Sequence, residues 1–150
     1  APARCAAPSG RALFDGVLMS HVLTIPQAAS VTLSGHMQWT DEFDWQPVVL
    51  RGSYSLEGAL VVEAAVKQAG RPITLAGAQD RGWVTRSDVV ALLAAAARPG
   101  LVMQLTLDDA RQFDVIFRHE DTPLQAEPVL FQVPLEATDA YVATLRLLEV

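Results

Sequence analysis

Three histidines and two groups of carboxylates are the residues whose types could support chemistry, and their spacing decides which chemistry. His21, His36 and His119 are widely scattered. They form no H-x-x-x-H pair and have no cysteine partner, whereas zinc sites use regular ligand spacings. His119-Glu120-Asp121 would suit a general base oriented by a carboxylate, and so a hydrolase. It falls where a strand gives way to a proline-containing loop, a place where polar clusters are the norm. In WTDEFDW (39–45), Asp41, Glu42 and Asp44 lie among Trp39, Phe43 and Trp45. A calcium loop would add a glycine hinge and a distal glutamate, and both are missing. The string reads instead as a solvated or interface loop with aromatic anchors. Asp108-Asp109 reads as a hairpin turn, a common use of Asp.

Other chemistries find less support. Ser9, Ser34 and Ser53 lie near glycines but form no G-x-S-x-G elbow. GAQDRGW has two glycines five apart without the Lys-Ser/Thr of a phosphate loop. No cofactor or metal motif emerges, and the expectation is a protein that is not an enzyme. Trp39, Trp45, Trp83 and Tyr54 raise a carbohydrate platform, since flat aromatics stack on sugar rings. Core or interface use competes with it, because tryptophan is enriched in both, and Trp83 is placed to act as a hydrophobic staple before a helix.

The elements that must position these residues are mostly strands. The 150 residues are 51% apolar and 19% charged, which suits one folded domain with a core rather than a disordered chain. Alternation predicts strands near 31–33, 37–40, 48–56, 59–63, 72–75, 129–133 and 141–148, with a further short pair around a turn within 12–25. Val48, Leu50, Gly52, Tyr54 and Leu56 share one face of their strand; Glu57-Gly58 turns the chain into the next. Leu101, Met103, Leu105 and Leu107 pair with Phe113, Val115 and Phe117 across the Asp108-Asp109-Ala110 turn. Residues 64–69 continue a strand or turn. One helix is expected at 85–97, capped by Thr85 with Asp88 three residues on and stopped by Pro99-Gly100. Val89, Leu92, Leu93 and Ala96 form its apolar stripe, and its alanine-rich opposite face calls for a covering loop or a second subunit. Residues 1–10 read as a flexible arm and 11–150 as a single β-rich domain. The expected fold is a β-sandwich or barrel of roughly eight strands with one short helix.

Charge and targeting narrow the setting. A net charge of −6 argues against wrapping a phosphate backbone. The lone Cys5 has no internal disulfide partner. No apolar run reaches membrane-spanning length, and the first ten residues lack a signal peptide's apolar region. The expectation is a soluble protein made in the cytoplasm, without membrane insertion.

The string GRPITLAG–x4–GWVTRSDVVALLAAA, then LTLDDARQFDVIFRHED, AEPV and YVATLRLLEV, resembles small tail proteins of long-tailed bacteriophages and prophages. The likeness covers about residues 47–150, with WTDEFDW as a fainter upstream echo. The group it resembles stands at the distal end of the tail, between the tube and the baseplate hub. The resemblance implies a tail-tube-like β-sandwich with one helix, assembled as a trimeric or hexameric ring around the DNA channel in the virion tail. Its neighbours would be the tube protein, the hub and the tape measure protein, with DNA passing through unbound. Trp39, Phe43, Trp45 and Trp83 are then candidate interface residues, and Asp108, Asp109 and Glu57 candidate channel-facing ones. A carbohydrate-binding β-sandwich touching the host surface is the alternative.

Overall fold

The computed structural model describes residues 20–150. The arm expected at 1–10, Cys5 and the first strand of the pair expected within 12–25 lie outside the described residues. The chain runs β1 (Ser20–Thr24), β2 (Val31–Ser34), β3 (Gln38–Trp39), β4 (Val48–Tyr54), β5 (Leu60–Val66), β6 (Pro72–Ala76) and β7 (Trp83–Thr85). It continues through α1 (Arg86–Ala96), β8 (Met103–Thr106), β9 (Gln112–Phe117), β10 (Leu124–Pro128) and β11 (Ala140–Glu149). The fold is mainly β, antiparallel and sandwich-like, with one short helix.

β11 organises the main sheet. Its alternation is strict: Tyr141, Ala143, Leu145 and Leu147 are buried while the residues between them are half-buried. Two neighbours share each of its flanks. β10 and β6 both pair with Thr144 and Leu145, so they lie on opposite sides; β9 and β6 both pair with Leu147 and Leu148, so they too are opposed. β7 shares Tyr141 and Val142 with β10 and therefore follows β6 on the far flank. Beyond these, the order runs β2-β1-β8-β9-β11-β6-β3. Leu23, Leu33, Ile73, Leu75, Met103, Leu105 and Val115 fill the interior from these strands. β7 turns tightly out of Gly82, whose φ of +71° is open to glycine at little cost. A side chain at Gly77 would stand 2.6 Å from the Gly82 carbonyl, so the two glycines let these backbones touch.

The helix forms where its cap predicts. The Thr85 hydroxyl accepts from the Asp88 amide, and its own proton goes to the Asp88 carboxylate at 2.9 Å. Val84, not Trp83, occupies the staple position before the cap; it is buried, whereas Trp83 is exposed. The buried stripe also differs from the expected one. Leu92, Ala95 and Ala96 face the core, with Val89 packed on its margin, while Leu93 is 61% exposed. α1 lies against β2, β7, β10 and β11. Its alanine face shares a cavity of about 210 Å³ with Ile25, Ala28 and Ala29, so the β1–β2 loop runs alongside it.

Three further expectations change. Eleven strands are present among the described residues rather than about eight; β7, three residues long, is too short to show alternation. The strand expected at 129–133 lies earlier, at β10; after the Val129 amide donates to Ala140, Leu130, Phe131 and Val133 turn outward. The strand at 48–56 forms, but neither of its faces joins the core.

Candidate assembly surfaces

β4 and β5 form a two-stranded sheet of their own, and every residue in both strands is exposed. Their register pairs Val48 with Val66, Leu50 with Ala64, Gly52 with Val62 and Tyr54 with Leu60. Directly opposed residues share a face, so these eight make one face without a polar side chain other than the Tyr54 hydroxyl. The other face carries the Arg51–Glu63 cross-strand pair, Ser53, Val49, Val61 and Ala65. A tight turn closes the tip: Ser55 and Ala59 exchange backbone and side-chain hydrogen bonds, and Gly58 sits at φ +83°. The result is an amphipathic arm whose apolar face has no cover among the described residues.

The root of the arm is built from the aromatic loop. Trp39 is half-buried on the core, edge-on to Phe113 at 5.7 Å, and the Arg71 guanidinium lies 4.5 Å over its ring. Trp45 is half-buried between Arg71 and Lys67. Asp41 ties the loop to β6: its Oδ1 accepts from the Trp39 indole at 2.7 Å and the Thr74 amide at 2.9 Å, and its Oδ2 from the Thr74 hydroxyl at 2.8 Å. Arg71 also donates to the Glu42 carbonyl at 2.9 Å. The Lys67 amide donates to Pro47, closing the base, and Gly70 donates to Glu149 at the end of β11.

The four tryptophan and phenylalanine candidates therefore divide. Trp39 is a rim of the core and Trp45 a support for the arm, while Phe43, at 86% exposed, and Trp83 point to solvent. Sequence reasoning passed over Lys67 and Arg71; the signal was a cation on each side of Gly70, just after a strand pair and facing a tryptophan-rich loop. Such cation–ring contacts each contribute about 0.5–2 kcal/mol.

The acidic candidates occupy two separate hairpin tips. Glu57 lies in the arm's turn and is exposed. Asp108 and Asp109 lie in the β8–β9 turn. Burial tends to raise the Asp109 carboxyl, but hydrogen bonds from the Arg111 amide and guanidinium outweigh it and hold the group below its usual range. Arg111 reaches on to Glu42 at 2.8 Å, linking that turn to the aromatic loop. Below it His21 is buried; its Nε2 donates to the Met37 carbonyl and its Nδ1 accepts from the Asp108 amide, each at 3.3 Å.

His119 also has a structural partner. Its Nε2 donates to the Ala96 carbonyl at 2.8 Å, satisfying an orphan acceptor at the end of α1. Asp121 lies 3.0 Å from the Arg118 guanidinium instead of orienting the imidazole. His119→Ala is expected to lower stability by about 1 kcal/mol, read as a reduced melting temperature. An unchanged melting temperature would show that the helix end draws nothing from this bond. Among the described residues, no group of three or more His, Cys, Asp or Glu is placed to hold a metal, and no helix is long and apolar enough to cross a membrane.

Comparison of the chain with protein families, with curated proteins and with solved structures finds no match.

Proposed function

We propose that this chain is a structural subunit of a bacteriophage-type tail. Its copies form a ring at the distal end of the tail tube, joining the tube to the baseplate and surrounding the DNA channel. The observation that carries the reading is the bare apolar face of the β4–β5 arm. Two-stranded hairpins are marginal alone in water, and exposed apolar patches mark interaction sites. Leu50, Tyr54, Leu60 and Val66 on this face are each more than half accessible, so it is open to a partner surface. The resemblance of residues 47–150 to tail proteins supplies the setting. The acidic balance, 17 carboxylates against 11 Lys and Arg, suits a wall past which DNA slides, since duplex DNA carries a negative charge every ~1.7 Å.

The test removes the arm without disturbing its root. Val49 and Ala65 face each other in the ladder, so residues 50–64 can be replaced by an Asn-Gly turn. Light scattering and electron microscopy should show wild-type rings of three or six copies and a monomeric armless variant with the wild-type melting temperature. A wild type that stays monomeric at every concentration would refute the reading, as would an armless variant that assembles normally. A lumen lined mainly by Arg and Lys would remove the DNA-passage part alone.

One observation favours the carbohydrate alternative. Trp83, 47% exposed, lines an open cavity of about 480 Å³ with His36, Asp80 and Arg81, an aromatic platform beside polar groups. Saturable quenching of tryptophan fluorescence by oligosaccharides, lost in Trp83→Ala and shown by a monomeric wild type, would move the assignment there.

A further inference from the structure

We infer that the arm of one copy docks on the β10 border of the next, making the contact between copies head-to-tail. This rests on the assembly reading above and names the surface that receives the arm.

The receiving surface combines three features. β10 pairs with β11 on one side, and no strand pairs with its other side among the described residues. A groove of about 550 Å³ runs along the outer face of β10 and β11, lined by Gln125, Glu127, Val142 and Thr144 among others. Beside it, the loop after β10 exposes Leu130, Phe131 and Val133, each more than 70% accessible. That loop is held in shape while its apolar side chains stay outside: the Asp139 carboxylate accepts from the Glu136 amide and the Gln132 side chain, both at 2.9 Å. These bonds hold its carboxyl below the usual range, the amide bond first. An apolar segment fixed in an outward-facing shape is a preformed surface.

Position makes the partner a second copy. The arm's root is tied to Glu149, at one end of β11, and the loop is tied to Ala140, at the other. Ten residues of strand span about 33 Å, and the arm's seven-residue strands reach only about 23 Å. With all its strand residues exposed, the arm does not cover its own chain's loop. Two unlike, complementary patches at opposite ends of a subunit make a heterologous contact, which closes into a ring or continues as a filament.

Complementation tests this. The armless variant keeps the receiving surface; Leu130→Asp/Phe131→Asp/Val133→Asp keeps the arm. Each alone should be monomeric, and an equimolar mixture should form a heterodimer that stops at two, since one functional contact remains. If wild type assembles and the armless variant does not, yet the mixture stays monomeric, the receiving surface is wrong and the ring reading stands. A triple variant that assembles like wild type rejects the surface in the same way. A monomeric wild type overturns both. Should the triple variant fail to fold, Tyr54→Cys and Leu130→Cys in a Cys5→Ser background replace it: oxidation should link neighbouring copies, and no linked species would reject the surface.

Discussion

Leu92→Asp is expected to abolish soluble folding, whereas Leu93→Asp should leave the fold intact. Leu92 is 1% exposed and packs among the strands beneath α1. Burying an unpaired carboxylate there costs several kcal/mol, comparable with the ~5–15 kcal/mol that stabilises a whole domain. Leu93 points to solvent, and surface changes of this kind usually stay within about 0.5 kcal/mol. Soluble yield and thermal unfolding of the two variants separate the cases. A soluble, cooperatively melting Leu92→Asp protein would show that the helix packs by another face.

The second large effect is expected at Asp41. Its carboxylate accepts three hydrogen bonds, from the Trp39 indole and from the amide and hydroxyl of Thr74. Asp41→Ala leaves those donors without their acceptor at a half-buried site, for an expected loss of about 2–4 kcal/mol. The consequence should spread to the arm, because Trp39 supports Arg71 and the same loop carries Trp45. Asp41→Asn keeps one carbonyl acceptor and should fall between wild type and Ala. Urea midpoints for the three proteins check the order; equal midpoints for Ala and wild type would mean that the loop is held by its rings alone.

Local rules made the helix limits, the β8–β9 hairpin and the buried face of β11 legible, because cap, turn and alternation each specify them within a few residues. Burial proved harder. Two stripes on α1 differ by whether Leu93 or Ala95 faces inward, and hydrophobicity favours leucine. Packing chose alanine, whose small side chain lets the helix approach closely. At 129–133 an apolar run with strand composition is exposed, while LQAEP, with a glutamine, a glutamate and a proline, forms the strand. A ladder needs only a partner backbone, which β11 provides. The β4–β5 alternation was equally plain, but alternation says which residues share a face and not what covers it. The aromatic loop showed the same limit: WTDEFDW looked like a surface anchor because its cationic partners, Lys67 and Arg71, follow some twenty to thirty residues later.

The place of β11 in the chain sets the order in which the protein can take shape during synthesis. Without this strand the main sheet separates into β2-β1-β8-β9 and β6-β3, and among the described residues β7 and β10 have no other strand partner. A ribosome that has read as far as residue 139 has therefore delivered the arm, the helix and most of the interior, but not the strand that joins the two parts of the main sheet. The arm's tether is to Glu149, at the far end of this strand. Until that strand is made, a nascent chain carries an exposed apolar hairpin with no finished body behind it, the kind of species that is prone to aggregate.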